Sequence, residues 1–545
     1  MTASITCTAL SFSWPDGTSV FEGLDASFGP GRTGLVGVNG SGKSTLLKLI
    51  AGRLVPADGT VRVAGEVGHL PQNVTLDTGL RVDEVLGIAA RRAALHAIEA
   101  GDVSEEHFEA VGDDWDVEER ALATLGELGL GHVALDRTIG EVSGGESVLL
   151  RLAALLLRRP DVLLLDEPTN NLDLYARRRL YAAVASWPGV MVVVSHDREL
   201  LELVDQVADL RAGGITRYGG TFSAYEEALA VEQEAAERMV RVAEADLRRQ
   251  RRELSDAHVV LARRRRYGQK MYDTKREPRA VMRMRRRTAQ ESAGKYRIMH
   301  EEKLAEAKER LDDAVEAVRD DDEIRVDLPY TAVPPGRTVL TLRDLELVYG
   351  ARVRGGLDLH GPERIALTGR NGAGKTTLLR TIAGELEPVS GEATAHVPLR
   401  FLPQRLDVLD DELTVAENVA RLSPGVTGNR VRARLARFLF RGARADRKAA
   451  TLSGGERFRA TLAALMLAEP APQLLLLDEP TNNLDMASVR QLTTALESYE
   501  GALIVASHDM PFLDSLGITR RLLLEEGELR DVTREAGPAA GERAG

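Results

Sequence analysis

Residues 33–52, TGLVGVNGSGKSTLLKLIAG, return at 365–384 as IALTGRNGAGKTTLLRTIAG. In each copy an apolar, strand-like run enters a glycine-rich loop and leaves it as a helix-like run, which is the context a phosphate-binding loop needs. Glycines let backbone N–H groups turn inward onto phosphate, a lysine neutralises the outer oxygens, and the hydroxyl that follows can ligate Mg²⁺. The candidates are Gly37, Asn39, Gly40, Gly42, Lys43, Ser44 and Thr45, and in the second copy Gly369, Asn371, Gly372, Gly374, Lys375, Thr376 and Thr377. One such loop can arise by chance in a long chain. Two with the same partners downstream cannot.

The partners repeat as well, because LLLDEPTNNLD stands at 163–173 and again at 475–485. An apolar strand ending in Asp166 or Asp478 places a carboxylate where it would hold the Mg²⁺ shell. Glu167 and Glu479 follow at once, beside the terminal phosphate, where a carboxylate can polarise an attacking water. Another apolar strand ends in His196, and its counterpart in His508, each a candidate contact to that phosphate. The expected fold is therefore α/β, with two P-loop domains, spanning 1–221 and 331–533.

Offsets between the copies show where they differ. Lys43 and Lys375 are 332 apart, as are Gln72 and Gln404, whereas Ser143 and Ser453 are 310 apart. The first copy thus holds 22 extra residues within 80–137, an added helical arm.

Composition is that of an ordinary globular chain, 545 residues with 43% hydrophobic and 28% charged. A single cysteine, Cys7, excludes an internal disulfide and fits a reducing, cytoplasmic setting. The start carries no basic segment followed by an apolar core, so no signal peptide is expected. No apolar run approaches the roughly 18–20 residues of a membrane span. With a net charge of −12, the chain cannot coat a polyanion over its whole surface. Contact with one must be local.

Such a place exists in 222–330, which repeats nothing. Residues 263–297 hold fourteen Lys/Arg against three acids, with Tyr267, Tyr272 and Tyr296 between the charges. On the way in, Ala236, Val240, Ala243, Leu247, Gln250, Leu254, Ala257 and Leu261 alternate in steps of three and four. Leu304, Ala307, Leu311, Ala314 and Val318 continue that spacing on the return. Pro278 would stop or kink a helix between them. The pattern predicts a long antiparallel helical hairpin with a basic tip, and a helix over 225–266 would reach roughly 60 Å. A merely solvated face would mix signs, as 301–322 does; one-signed clustering suits nucleic acid. The final 534–545, rich in Gly, Ala and Pro, is expected to be disordered.

These motifs resemble the ATP-binding cassette ATPases, since Val142, Ser143, Gly144, Gly145 and Glu146 look like the LSGGQ signature of that family. Valine replaces its leucine and Glu146 its glutamine; the second copy has Leu452, Ser453, Gly454, Gly455 and Glu456. The resemblance implies that ATP and Mg²⁺ are bound, that Gln72 and Gln404 complete the metal site, and that an aromatic stacks on adenine. Tyr349 is that aromatic in the second copy; in the first it is Trp14, with Phe12 the alternative. It also implies a head-to-tail pairing of the two cassettes within one monomeric chain. Lys43, Asp166 and Glu167 would then be completed by the signature at 453–456, and Lys375, Asp478 and Glu479 by that at 143–146.

Nearly the whole chain is similar to the ABC-F family of ribosome-associated ATPases: two intact cassettes, no membrane segment, and a long linker with a basic tip. That family's linker enters the ribosome and touches the P-site tRNA and ribosomal RNA near the peptidyl-transferase centre. Carried over by position, the contacts would be Arg263, Arg264, Arg265, Arg266, Tyr267, Lys270, Lys275, Arg276, Arg279, Arg283, Arg285, Arg286 and Arg287. Members tune translation or protect ribosomes from antibiotics, and the long basic linker inclines towards protection. Two other readings stay open at this point: the ATPase subunit of a drug exporter with a separate membrane partner, and a DNA-maintenance ATPase.

Overall fold

The computed structural model describes residues 3–72, 77–170, 172–211, 213–273, 279–317, 328, 330–349, 351–404, 408–482 and 484–533. Of the residues singled out above, Lys275, Arg276, Pro278, Val318 and the 534–545 tail lie outside these. The chain divides into two compact units, one of 1–222 with 322–545, the other of 223–321. Among the described residues, no helix is long and apolar enough to cross a membrane.

In the first unit each repeat builds its own mostly parallel sheet. The first cassette orders its strands Val67–Leu70, Val162–Asp166, Val190–Val194, Gly31–Val36, Gln206–Arg211 and Gly214–Gly219, with only the last running antiparallel. Val162–Asp166 (VLLLD) and Val190–Val194 (VMVVV) are buried along their entire length. Continuous β-branched and leucine runs suit strands covered on both faces. A separate antiparallel sheet of Ser19–Phe28, Ser4–Ser13 and Asp58–Ala64 lies within the same cassette. The second cassette joins the equivalent strands into one nine-stranded sheet in which Arg364–Thr368, Ala502–Ala506 and Leu474–Asp478 are parallel neighbours.

Register brings the chemistry together. Asp166 pairs with Val194 and Asp478 with Ala506, so each acidic pair ends its strand beside the end of the histidine-bearing one. The phosphate loops leave Gly31–Val36 and Arg364–Thr368 at that same carboxyl end, where open α/β sheets hold their ligands. The 22-residue surplus of the first cassette falls in a region that folds as the helices Ala89–Glu99, Glu105–Val111 and Val117–Glu127.

The second unit takes all but the first residue of a helix from Phe222 to Asp273, 52 residues long, and a helix from Arg279 to Ala317, 39 residues long. Ala243, Leu247, Gln250 and Ala257 are buried along the first, as Ala307 is on the second. Arg310 donates to Asp246 at 2.8 Å, an ion pair 64 residues apart that ties the two helices together.

Candidate active site

The loop geometry explains its glycines. Gly42 caps the helix Lys43–Ile50 with φ 98°, and its counterpart Gly374 has φ 103°, a left-handed conformation that costs little only without a Cβ. At Gly37 a Cβ would stand 2.5 Å from the Leu210 carbonyl oxygen, so the loop lies flush against the next strand. Lys43 Nζ donates to the carbonyls of Gly37 at 2.7 Å and Val38 at 3.1 Å. Lys375 repeats this on Gly369 at 2.7 Å and Arg370 at 3.3 Å. Burial lowers the pKa of both lysines against the opposing pull of Glu167 or Glu479.

Behind the loops, Ser44 Oγ donates to Asp166 Oδ1 at 2.9 Å. Asp166 Oδ2 and both oxygens of Asp478 are buried without a hydrogen-bond partner of normal geometry. Burial raises both carboxyls above their ordinary range, with Ser44 and Thr376 pulling the other way. A hard carboxylate with idle oxygens next to a hydroxyl fits Mg²⁺, which takes one or two carboxylates and completes its shell with phosphate and water. Gln72 and Gln404 lie exposed just past the strands Val67–Leu70 and Leu399–Leu402.

Glu167 and Glu479 share a strained backbone, φ 47° and 46°, rare for residues other than glycine. Each N–H is held by the neighbouring strand, Glu167 by the Val194 carbonyl and Glu479 by that of Ala506, both at 2.8 Å. The two copies pay the same conformational cost to point the same side chain. Burial pushes Glu167 up to about 8 and Glu479 up to about 7, the adjacent lysines opposing. Burial, and then the nearby lysine, depress His196 and His508 to about 3, so both rings are neutral. His196 Nε2 lies 3.2 Å from Glu167 Oε1. His508 Nε2 instead lies 2.9 Å from Lys375 Nζ, where a neutral ring accepts, and 3.5 Å from Glu479 Oε1.

A raised carboxyl fixes the sign of a pH effect. Between its ordinary value and about 8 the folded chain keeps a proton on Glu167 that the unfolded chain gives up, so stability is lost as pH rises through that window. Glu167→Gln removes this loss. The melting temperature of the nucleotide-free variant is expected to exceed the parent's by a gap that widens by a few degrees from pH 5 to pH 8; a constant gap in calorimetry would contradict the raised value.

The signatures open helices. Ser143 caps Gly144–Arg158: Glu146 N–H donates to Ser143 Oγ at 3.3 Å and Ser143 N–H to Glu146 Oε2 at 2.9 Å. Ser453 and Glu456 repeat the box at 3.3 and 3.0 Å. Glutamine would complete the same box, so what glutamate adds where the family pattern has glutamine is negative charge at a helix N-terminus. His132 and Arg447 hold the outer oxygens of Glu146 and Glu456, both at 2.8 Å.

The sequence motifs imply that the cassettes pair, but not the bonds from an aspartate of each to the other's phosphate loop. Asp485 uses Oδ1 to cap its own helix at Ser488 N–H and Oδ2 to accept from the backbone N–H of Asn39 at 2.9 Å, in the other cassette's phosphate loop. These bonds outweigh burial and hold its carboxyl below the ordinary range. Asp173 does likewise, capping Ala176 at 2.9 Å and accepting from Asn371 N–H at 3.4 Å. A Cβ on Gly455 of the second signature would meet Ser488 Oγ at 3.0 Å, so that signature lies against the helix that reaches the first loop. The sequence signal for these bonds is the aspartate that ends each LLLDEPTNNLD.

Of the two adenine-stacking candidates, Phe12 is buried in the core, whereas Trp14 is 38% exposed and stands edge-on to it at 5.1 Å. Tyr349 is 80% exposed.

Comparison with known proteins agrees with this architecture. The ABC transporter family model matches residues 21–170 and 355–482. The tylosin resistance ATP-binding protein TlrC of Streptomyces fradiae is 34% identical over 534 residues, covering 91% of this chain and 92% of its own. ATP-binding cassette sub-family F member 3 of Mus musculus is 32% identical over 520 residues, 91% of this chain and 68% of that one. Among solved structures, RNase-L Inhibitor has the same fold with a TM-score of 0.54 at 20% identity, covering 95% of this chain and 87% of that one.

Proposed function

This chain belongs to the ABC-F family of tandem-cassette ATPases, and from that premise we propose that its ATP-bound form is a ribosome ligand that protects translation from an antibiotic. It is an ATP hydrolase. In the proposed reaction Lys43 and Lys375 bind the outer phosphates and Glu167 and Glu479 orient the attacking water and take its proton. His196 and His508, neutral, contact the terminal phosphate. Trp14 and Tyr349 stack on adenine. Asp166 with Ser44 and Gln72, and Asp478 with Thr376 and Gln404, would hold Mg²⁺, which neutralises developing charge on the phosphoryl oxygens. Each site draws on the other cassette's signature, Ser453, Gly454, Gly455 and Glu456 for the first and Ser143, Gly144, Gly145 and Glu146 for the second. The Asp485–Asn39 and Asp173–Asn371 bonds support this pairing, because they already join each loop to the opposite cassette. ATP would close the pair and hydrolysis reopen it, a switch of cassette geometry.

The observation that carries the ribosomal reading is the linker. Its two helices are read as a hairpin whose far end is basic, and Arg263, Arg266, Lys270, Arg287 and Lys295 there have exposed side chains, with Tyr267 and Tyr296 also exposed. One-signed charge with aromatic rings fits RNA backbone and unstacked bases, so the tip is assigned to P-site tRNA and ribosomal RNA near the peptidyl-transferase centre. A relative whose name records tylosin resistance, aligned over nearly the full length, favours protection over general regulation. The working protein is a cytoplasmic monomer in this reading. Expression in a drug-sensitive host tests it: the inhibitory concentration of tylosin should rise, and the rise should vanish with Lys43→Ala/Lys375→Ala. Unchanged sensitivity to tylosin and to other peptidyl-transferase and exit-tunnel drugs would overturn protection.

A further inference from the structure

The two composite sites are not built alike. Asp173 and Asp485 stand 312 apart, which sets Val489 opposite Arg177 and Ala487 opposite Tyr175; the loop offset of 332 sets Val38 opposite Arg370. Arg177, on the helix Leu174–Ala185, is only 9% exposed. Its guanidinium donates to its own cassette at Leu172 O, 3.3 Å, and Asp197 Oδ2, 3.5 Å, and across the interface to the backbone carbonyl of His508 at 3.5 Å. Tyr181 fixes the same Asp197 oxygen through its hydroxyl at 2.6 Å. Two residues before Arg177, the Tyr175 ring receives the Arg370 guanidinium at 6.0 Å, a cation–π contact onto the second phosphate loop. Val38, Ala487 and Val489 carry no group able to make either contact at the Lys43 site. The histidine whose carbonyl Arg177 holds is also the one whose ring lies nearer Lys375, at 2.9 Å, than its glutamate, at 3.5 Å.

We infer that Arg177 and the Tyr175–Arg370 pair form a one-sided clamp that holds the Lys375 site shut longer than the Lys43 site, so that the two sites release nucleotide unequally. This rests on the reading that the cassettes enclose ATP at their mutual interface. Opening this side must strip the buried guanidinium of its His508 acceptor and part the Tyr175–Arg370 pair, two contacts for which Val489, Ala487 and Val38 have no group, while the loop–aspartate bond is common to both sites. Arg177 touches neither phosphate nor the reacting atoms. It is a positioning residue acting through His508, and it makes reopening of one site the slower step.

The test follows release of a fluorescent ATP analogue, mant-ATP, from the full-length Glu167→Gln/Glu479→Gln protein after a chase with unlabelled ATP. Two phases are expected, the slow one lost with Lys375→Ala and the fast one with Lys43→Ala. Arg177→Val should speed the slow phase by about fivefold or more and the fast phase far less, and Arg177→Lys should restore much of the difference. Tyr175→Ala, on a half-exposed side chain that puts folding at little risk, should speed the slow phase by about twofold. A single release phase in the parent, or equal acceleration of both phases by Arg177→Val, would overturn the clamp. Failure of the parent to retain any analogue would overturn enclosure at the interface, and the clamp with it.

Discussion

Replacing Glu167 and Glu479 together by glutamine is expected to lower ATP turnover by about 10²–10⁴-fold while ATP binding persists, the range a general base contributes. The geometry gives both halves of that expectation. Glutamine keeps the shape, and the strained φ of 47° and 46° is set by backbone bonds to Val194 and Ala506 that the substitution does not touch. The lysines still meet their loops and Asp166 and Asp478 stay in place, so the nucleotide contacts survive. What is lost is an oxygen able to accept a proton. Neither histidine replaces it efficiently, because burial beside a lysine depresses each ring to about 3. Phosphate release and retention of ATP through gel filtration measure the two halves separately. Turnover within about threefold of the parent would move the base elsewhere. Loss of retention along with turnover would mean that the carboxylates hold the fold of the site rather than its chemistry.

Much of this site was legible because its parts are short and repeated. Loop, strand-end carboxylates and signature each lie in a run of a dozen residues or fewer, and each occurs twice, which turned weak patterns into the reading of two α/β cassettes. The helical spacing in the linker was likewise visible as a seam, and Ala243, Leu247, Gln250, Ala257 and Ala307 along it are the buried positions. What stayed hidden was pairwise and remote. Nothing local to Asp485 announces that its second oxygen meets Asn39, 446 residues away, and the aspartate reads equally as a helix cap, which it also is. Arg177 was hidden for the opposite reason. It breaks the repeat, whereas the motifs lie in what the copies share, and only the fold shows that the difference faces His508. Glu146 and Glu456 depart from the family's glutamine, and the partners of their outer oxygens, His132 and Arg447, are brought to them by the fold.

Exchanging Arg263, Arg266, Lys270, Arg287 and Lys295 for glutamine should abolish ribosome pelleting of the Glu167→Gln/Glu479→Gln protein in ATP and leave its ATP retention intact. All five side chains are exposed on the two linker helices, so their removal uncovers no core. Glutamine matches Arg and Lys closely in helix propensity, so the helical signal in circular dichroism should hold. If each charge meets one phosphate, binding falls with salt at about 0.7 logarithmic units per contact, a slope near 3.5 for the set. That corresponds to roughly two orders of magnitude between 50 and 200 mM salt, and the variant should have lost this sensitivity along with the affinity. The parent is the control that gives the result its meaning. If it pellets with ribosomes in ATP and the glutamine variant does not, the linker carries the contact. If both pellet alike at all salt concentrations, a surface of the cassettes does, and the tip's concentration of charge in a chain of net −12 has some other polyanion as its cause. If neither pellets, the ribosome is the wrong target while the two ATP sites stand, because nothing in their geometry depends on the linker's tip.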